Sequence, residues 1–436
     1  MNYITYANKI IPILGEYDTV VVGGGTSGSS AAISASNEGN KVLIIEKSIF
    51  LGGSSVNALV NPVMESFVPH NDNFYLIEEE LKKLDSTTRD GITEYLYSTP
   101  ENKSYVLEKL FKGDILYDTT LVDVIVHEKK INYVIVTTVE GIGAVKSKQF
   151  IDATGDAILS RLAGVKTNSG DSEGNNQMSS LRFEMGGIDI NKFRDYVLNL
   201  NENFSKLVTG DFFEAAMVKG KGFKLEPLFI QGVEKGLLKE EDLIYFQCFS
   251  IPDAKGCMTF NCPHLEIMKK NTNSLIRSKA ILYGKEKIQR LIKFLKEMMP
   301  GFENSYLIRI ANSLGIRESY RIVGKYTLVE EDYINRRKFE DSVAKADWYI
   351  DVHSSKGLVH MEKYKKGEYY DIPYRCLIND VVDNMVTIGR CISTTFLVQA
   401  SIRVQATLID MGDSVGKICA KALNNNIELS NYIHKN

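Results

Sequence analysis

Gly23, Gly25 and Gly28 stand in the spacing Gly-x-Gly-x-x-Gly, and Glu46 follows 23 positions after the first of them (46 − 23). A turn of this kind can hold a pyrophosphate. Gly23 permits the tight strand-to-helix turn, Gly25 lets phosphate oxygens approach the backbone, and Gly28 lets the helix pack close to the sheet. Thr26 and Ser27 open that helix, whose first N–H groups and positive dipole end would face the phosphates. Glu46, followed by Lys47, would accept hydrogen bonds from ribose hydroxyls and repel a 2′-phosphate.

A second set of residues could act on a bound molecule. Arg317, Glu318 and Arg321 read as helical in spacing, which puts the two arginines on one face as i and i+4. Two guanidinium groups so placed could clamp a carboxylate, and an intrahelical Glu–Arg network fits the same spacing. His353 lies between Trp348-Tyr349-Ile350 and Ser354-Ser355-Lys356-Gly357. It suits a general acid or base, or a structural hydrogen bond. Arg375 could be a second anion contact or a sheet-edge residue. The other histidines, His70, His127, His264, His360 and His434, show no metal-ligand spacing, so no metal site is expected.

These residues need elements to hold them. Asp18-Thr19-Val20-Val21-Val22 reads as a strand, Ser30 to Ala35 as a small-residue helix, and Lys41 to Ile45 as a second strand, which makes a βαβ unit. Leu51-Gly52-Gly53-Ser54-Ser55 is a glycine turn with hydroxyls able to cap a helix. Spans 114–126, 131–139 and 143–151 read as three strands of a β-meander, after which Asp152-Ala153-Thr154-Gly155-Asp156 returns the chain to the first sheet. The stretch 168–180 reads as a polar loop, and 275–299 as a long amphipathic helix stopped by Pro300-Gly301. Met385 to Ile388 is a strand, a loop starts at Gly389, and a helix starts near Val404. In that helix Gly412 and Gly416 would permit close packing. The tail from Asn424 is expected to fray.

The length of 436 residues, with 44% hydrophobic and 25% charged residues, is ordinary for a globular chain with ample core. A net charge of −3 offers no field for nucleic acid or an anionic membrane. No run reaches the ~18 apolar residues of a membrane span. The patch Ile10 to Leu14 is too short for a secretory core, so a cytoplasmic protein is expected. Six cysteines do not make a disulfide framework, and Cys257 and Cys262 lack Cys-x-x-Cys spacing; they read as buried thiols.

Several blocks, in order and nearly end to end, resemble the FAD-dependent oxidoreductase family. They are Glu16-Tyr17-Asp18 into the glycine motif, Leu51-Gly52-Gly53, Asp152 to Asp156, Gly315-Ile316-Arg317-Glu318-Ser319, Ile350-Asp351-Val352-His353, Ile372 to Ile378 and Gly389-Arg390-Cys391-Ile392-Ser393. The resemblance is to glutathione-reductase-type flavoproteins, with a distant similarity to fumarate reductase flavoprotein subunits. It implies an α/β fold: a Rossmann-like FAD-binding domain with a parallel sheet and a β-meander, and an inserted α+β substrate domain. The boundaries expected are 1–164 and 381–436 for the FAD-binding parts and 165–380 for the insertion.

By the same resemblance, Gly23, Gly25 and Gly28 hold the FAD pyrophosphate and Glu46 the ribose. Gly52, Gly53, Ser54 and Ser55 run beside pyrophosphate and isoalloxazine. Val122 offers backbone to adenine, and Gly155 with Asp156 closes over the nucleotide. Gly389, Arg390, Ile402, Arg403 and Val404 line the ribityl chain and the flavin edge. A helix starting at Val404 would aim its positive end at flavin N1/O2, where negative charge develops on reduction. Related flavoproteins carry Gly-Asp where this chain has Gly389-Arg390, so Arg390 is expected on phosphate or flavin.

FAD would then carry the redox chemistry, with protein groups orienting substrate and moving protons. The expected activity is hydride transfer between flavin N5 and a small polar or anionic organic substrate, with a separate electron donor or acceptor. No second Gly-x-Gly-x-x-Gly occurs in mid-chain to hold a nicotinamide cofactor. A flavin monooxygenase or halogenase is the alternative, although the halogenase Trp-x-Trp-x-Ile-Pro motif is missing and Trp348 is isolated. A flavin-bearing RNA-modifying or RNA-binding protein is a third reading, against which the net charge argues.

Overall fold

Strand Lys9–Val22 runs through an eight-stranded sheet to the glycine turn, and helix Thr26–Asn37 departs from it. The computed structural model describes residues 2–84, 96–201, 208–209, 212–251, 253–265, 269–354, 357–361 and 363–435. Val42–Ile45 comes back parallel to the first strand, with Thr19 opposite Val42 and Val22 opposite Ile45. All four of its residues are buried, as a parallel strand covered on both faces requires. The expected βαβ unit therefore forms.

The strand expected over 114–126 divides in two. Asp114–Leu116 joins the parallel end of the sheet beside Val42–Ile45, the chain turns at Asp118 (φ +48°), and Thr120–His127 begins the meander. The third meander strand, Gly141–Asp152, belongs to the same sheet as the βαβ unit. It pairs antiparallel with Lys130–Thr138 through its first residues and parallel with Lys9–Val22 along its length. Met385–Thr387 then adds in parallel at its end. The last part of the chain completes the sheet that the first part began. The patch at Ile10 to Leu14 is the start of the long central strand, paired in a hairpin with Asn2–Tyr6.

A second sheet of six strands carries Phe183–Gly186, Phe212–Met217, Phe246–Ser250, Met258–Phe260 and Tyr306–Ile310, with the short Val208–Thr209 at its edge. Helix Ser274–Met298 lies where the sequence pattern predicts it. It buries Ala280, Gly284, Ile288, Leu291 and Leu295, a stripe at spacings of three and four. This stripe shares one core with Phe183, Phe213, Phe246 and Phe260, and that core extends over residues 181–316. Residues 328–378 pack instead in the core of Val21, Ala31 and Ile409.

Three other expectations change. The 168–180 segment is not a solvated loop: Thr167–Ser169 and Ser179–Ser180 are short strands, and Gln177 and Ser179 are fully buried. An additional helix, Phe396–Ile402, precedes Gln405–Asn424. The tail docks: Leu429 is buried, Tyr374 donates to its carbonyl at 3.0 Å, and Lys325 Nζ donates to Ser430 O at 2.6 Å.

The two ends of the chain are locked by a helix crossing. Thr26–Asn37 meets Gln405–Asn424 so closely that a Cβ on Gly412 would overlap Ser27 O, and one on Gly416 would overlap Ala31 O. Ser30 Oγ donates to Ile409 O at 2.7 Å across the same contact. Because the obstacle is backbone, it cannot rotate away. Gly416→Leu should therefore lower stability in a urea melt by about 2 kcal/mol or more, although leucine is the better helix former. An unchanged midpoint would show that the crossing has slack.

Candidate functional site

At the turn itself, Gly23 adopts φ +100° and its N–H donates to Ile45 O at 2.8 Å. Gly25 is the N-cap of helix Thr26–Asn37, and no side chain caps that end. A Cβ on Gly25 would meet only Gly53 Cα, at 4.0 Å, so the space above the helix N-terminus is open. The Gly52 turn closes one side of this space through Gly52 N to Gly24 O at 2.7 Å. Uncapped helix N–H groups facing a gap over a glycine suit a phosphate.

Glu46 is buried beside the turn. Its Oε2 accepts from Gly24 N at 2.7 Å and its Oε1 from Ser48 N at 2.9 Å. Each oxygen keeps a second lone pair for a hydroxyl donor. Lys47 is exposed, and Val122 is 42% exposed where the strand register shifts between Leu121 and Asp123. The hydroxyls after Gly53 do not cap a helix as expected. Gly53 is the N-cap of the short turn Ser54–Asn57, and Ser55 Oγ donates back to Gly52 O at 2.8 Å. Ser54 starts that turn, and Thr26 Oγ1 faces Gly52 O at 3.4 Å.

The C-terminal segment reaches the same place. A Cβ on Gly389 (φ +92°) would lie 3.1 Å from Ser27 Oγ, so its turn abuts the first turn of the nucleotide helix. Arg390 Nη2 bonds Asp156 Oδ1 at 2.8 Å, Arg277 Nη1 bonds Oδ2 at 3.0 Å, and Ser319 Oγ donates to Oδ1 at 2.6 Å. Burial alone would raise the Asp156 pKa, but Arg390 and Arg277 hold it well below the usual carboxylate range. Gly155 fits under the Arg390 guanidinium. Arg390 Nε is buried without a hydrogen-bond partner among the described residues. Ile402 is buried, and Val404 is the N-cap of Gln405–Asn424 without a side-chain cap. Gln405 Nε2 ties this helix end to Val60 O and Pro62 O at 2.8 and 2.9 Å.

The catalytic candidates part company. Residues 316–319 are not helical; Gly315 forms a bridge to Ser180, and Tyr320–Ile322 is a strand. Of the two readings of these residues, the arginine clamp is not formed, and the Glu–Arg pairing is, although outside any helix. Arg321 turns to an ion pair with Glu318 and to Gly170 O, while Arg317 Nη1 donates to Met178 O at 2.8 Å. Arg375 is not brought to the others: its side chain is 49% exposed and pairs with Asp341 at 2.9 Å.

His353 enters a buried cluster with residues the sequence did not single out. It lies on strand Asp351–Ser354, whose alternation puts Asp351 and His353 on one face; Ser355 and Lys356 of its flanking motif lie outside the described residues. His353 Nε2 is 3.1 Å from Asp351 Oδ2, and His353 Nδ1 is 2.9 Å from His264 Nε2. Arg403 Nη2 donates to Asp351 O at 2.8 Å and lies 3.7 Å from Oδ2. The Tyr245 ring covers His264 at 4.4 Å, with its hydroxyl fixed on Gln247 Oε1 at 2.7 Å. The buried segment 177–180 joins these parts. Met178 N donates to His353 O, Met178 O accepts from Arg317, and Ser180 pairs with His264.

Burial, then the charge of Arg317, pushes the His353 pKa down to about 4 despite Asp351, and burial first of all pushes His264 well below its ordinary value. Burial, then Arg403 and Arg182, lowers Arg317 to about 9. Among the described residues no carboxylate forms an ion pair with Arg317 or Arg182, and no group of metal ligands assembles. No helix of the described residues is long and apolar enough to cross a membrane. All six cysteines are free thiols, Cys257 alone being only partly buried.

With an open glycine turn and a buried polar cluster in place, comparison with known proteins settles the class. A family model for FAD dependent oxidoreductases matches residues 18–433, and the chain belongs to that family. It is a flavoenzyme with FAD as cofactor. No curated protein matches the chain. Among solved structures it is similar to a geranylgeranyl bacteriochlorophyll reductase-like protein of Thermoplasma acidophilum, at 15% identity and TM-score 0.48 over 94% of this chain and 80% of that one. It is also similar to the flavin-dependent brominase Bmp2, at 13% identity and TM-score 0.47 over 94% and 80% of the two chains. A flavoprotein/dehydrogenase of Cytophaga hutchinsonii is 11% identical, with TM-score 0.44 over 94% and 79%.

The low pKa of His353 sets a sign for stability. In the unfolded chain it binds a proton below its ordinary 6.5, whereas in the folded protein it does so only below about 4. Its contribution is therefore complete above pH 6.5 and is lost as pH falls toward 4, on the order of 2 kcal/mol by pH 5. Urea melts from pH 7.5 to 4.5 should show a slope that is shallower in His353→Gln. Parallel slopes would mean that the histidine is protonated in the fold.

Proposed function

We propose that this enzyme transfers a hydride between flavin N5 of FAD and a small anionic organic substrate, which Arg317 and Arg403 bind beside His353. The observation that carries the reading is the charge of Arg317, a half-buried guanidinium held by carbonyl and hydroxyl oxygens, with no carboxylate in ion-pair contact among the described residues. With Arg182 and Arg403 near it and Asp351 as the facing carboxylate, the site holds an excess of positive charge. A buried excess of this kind is relieved by an anion, and a planar guanidinium matches a carboxylate with two parallel hydrogen bonds.

The cofactor would occupy the cleft that begins at Gly25. Its pyrophosphate would lie over Gly23, Gly25, Thr26, Ser27 and Gly28, its ribose on Glu46 with Lys47 beside it, and its adenine near Val122. Gly155, Asp156, Gly389 and Arg390 would close on the middle, where the Arg390 Nε–H lacks a partner among the described residues. Gly52, Gly53, Ser54, Ser55, Ile402, Arg403 and Val404 would flank the flavin. Bound FAD supplies the two-electron redox step. Arg317 and Arg403 orient the substrate, and the wall of Tyr245 keeps water from the histidines. An external electron donor or acceptor completes the cycle.

Two measurements test this reading. Gly25→Ala has room for its methyl group in the protein without cofactor, so it should melt like the wild type yet bind FAD at least ~100-fold more weakly, about 2.7 kcal/mol. Retained affinity would move the pyrophosphate elsewhere. In anaerobic solution, small organic anions should be screened for direct bleaching of the flavin band. Arg317→Ala should lower the second-order bleaching rate by roughly 10²- to 10³-fold, with Arg317→Lys in between. Bleaching by NAD(P)H alone, followed by oxygen insertion into a substrate, would replace this reading with a monooxygenase.

A further inference from the structure

We propose that His264, and not His353, exchanges the proton with the substrate, and that His353 and Asp351 behind it form a relay that sets its tautomer and carries the proton away. The inference rests on the site assigned above and identifies which of its groups handles the proton.

An imidazole has two nitrogens, and both of those on His353 are engaged within the protein. Nε2 is 3.1 Å from Asp351 Oδ2, and Nδ1 is 2.9 Å from His264 Nε2. His353 has nothing left to offer a ligand. His264 is different. Its Nδ1 is buried and has no hydrogen-bond partner among the described residues, although the residue is only 2% exposed. A buried polar atom without a partner costs about 1–3 kcal/mol. Such an atom at the end of a hydrogen-bonded chain, in a cluster where Arg317, Arg182 and Arg403 outnumber the one carboxylate of Asp351, marks where a ligand group belongs.

The donors and acceptors run in one direction. The Asp351 carboxylate can only accept, so His353 carries its hydrogen on Nε2 and presents the Nδ1 lone pair. His264 must then donate from Nε2, which leaves the Nδ1 lone pair directed outward. Burial first, and then Arg317, Lys287 and Arg182 around His264 and Arg317 and Arg403 around His353, lower both pKa values and so favour the neutral rings. Neutral rings are what such a relay requires. When a ligand proton reaches His264 Nδ1, the Nε2 hydrogen of His264 passes to His353 Nδ1. The Nε2 hydrogen of His353 then passes to Asp351. One proton has left the ligand, one carboxyl has gained it, and both rings remain neutral in the opposite tautomer. The reverse sequence delivers a proton.

This arrangement narrows the substrate class. A base at His264 serves a carbon that bears O–H or N–H: the C–H hydrogen leaves with its electron pair for FAD, the O–H or N–H proton goes to His264, and a C=O or C=N bond forms. Together with the arginines, the site fits the anion of a hydroxy or amino acid.

The first test needs no substrate. In 15N-histidine-labelled FAD-bound enzyme, with resonances assigned through His264→Gln and His353→Gln, both rings should show a protonated Nε2 and a bare Nδ1 from pH 8 to 5. A protonated Nδ1 on His264, or a cationic ring at pH 7, overturns the relay. Flavin bleaching by hydroxy-acid and amino-acid anions is the second test. His264→Gln should slow it by roughly 10²- to 10⁴-fold at every pH. His353→Gln should retain more activity, show an altered pH profile and leave His264 in mixed tautomers. A larger loss in His353→Gln than in His264→Gln overturns the assignment. If neither class of anion bleaches the flavin, the substrate class fails, while the tautomers still decide the relay.

Discussion

Ser30 on the first helix and Ile409 on the last are 379 positions apart, yet they are joined by a hydrogen bond, and beside them two helices touch backbone to backbone. The contact exists because Gly412 and Gly416 present no side chain to Ser27 and Ala31. A hard contact of this sort has one geometry, and displacement in either direction loses packing or forces overlap. Everything that the C-terminal segment brings to the site depends on it: the Gly389 turn against Ser27, the Arg390–Asp156 pair, and the end of Phe396–Ile402 that carries Arg403. The glycine turn after Val22 and the Gly389–Arg390 turn are thereby held in register.

Buried charge is handled in two ways within a short distance. Asp156 is enclosed by Arg390 and Arg277, and Glu318 by Arg321; these are closed pairs with hydrogen bonds on both partners, of the kind that are costly to break from one side. Arg317 and Arg182 instead rest on carbonyl and amide oxygens. The closed pairs serve the fold. The open cations leave a positive potential, and after burial it is their charge that lowers the pKa values of the neighbouring imidazoles.

The legible parts of this chain were those written locally. The βαβ unit, the long helix and the glycines of the last helix follow from spacing within a few turns. The four-residue interval of Arg317 and Arg321 fits a helix equally well, but the chain there is held extended by the Gly315 bridge to Ser180 and by pairing of Tyr320–Ile322 with Thr167–Ser169. The polar stretch 168–180 was read as solvated because composition does not separate polar groups facing water from polar groups lining a site. Asp351 could have been found, since Asp-x-His on a strand puts both side chains on one face. His264 could not, because its partner is 89 positions away and nothing near it in the chain records the contact.

One side chain joins the cofactor and substrate sides. Gln399 is fully buried on Phe396–Ile402; its Nε2 donates to Arg317 O at 2.8 Å and faces Arg390 O at 3.4 Å, while its Oε1 accepts from Gln177 Nε2 at 2.8 Å. The position demands a group that donates to two carbonyls and accepts from an amide at once. An ionised glutamate would turn an oxygen toward both carbonyls and put a negative charge in the interior. An aliphatic residue would leave the carbonyls without a donor. The amide thus fixes the segment of Arg317 to the turn of Arg390. Gln399 is thus the side chain through which three separate segments of the chain, at Gln177, Arg317 and Arg390, are tied to helix Phe396–Ile402.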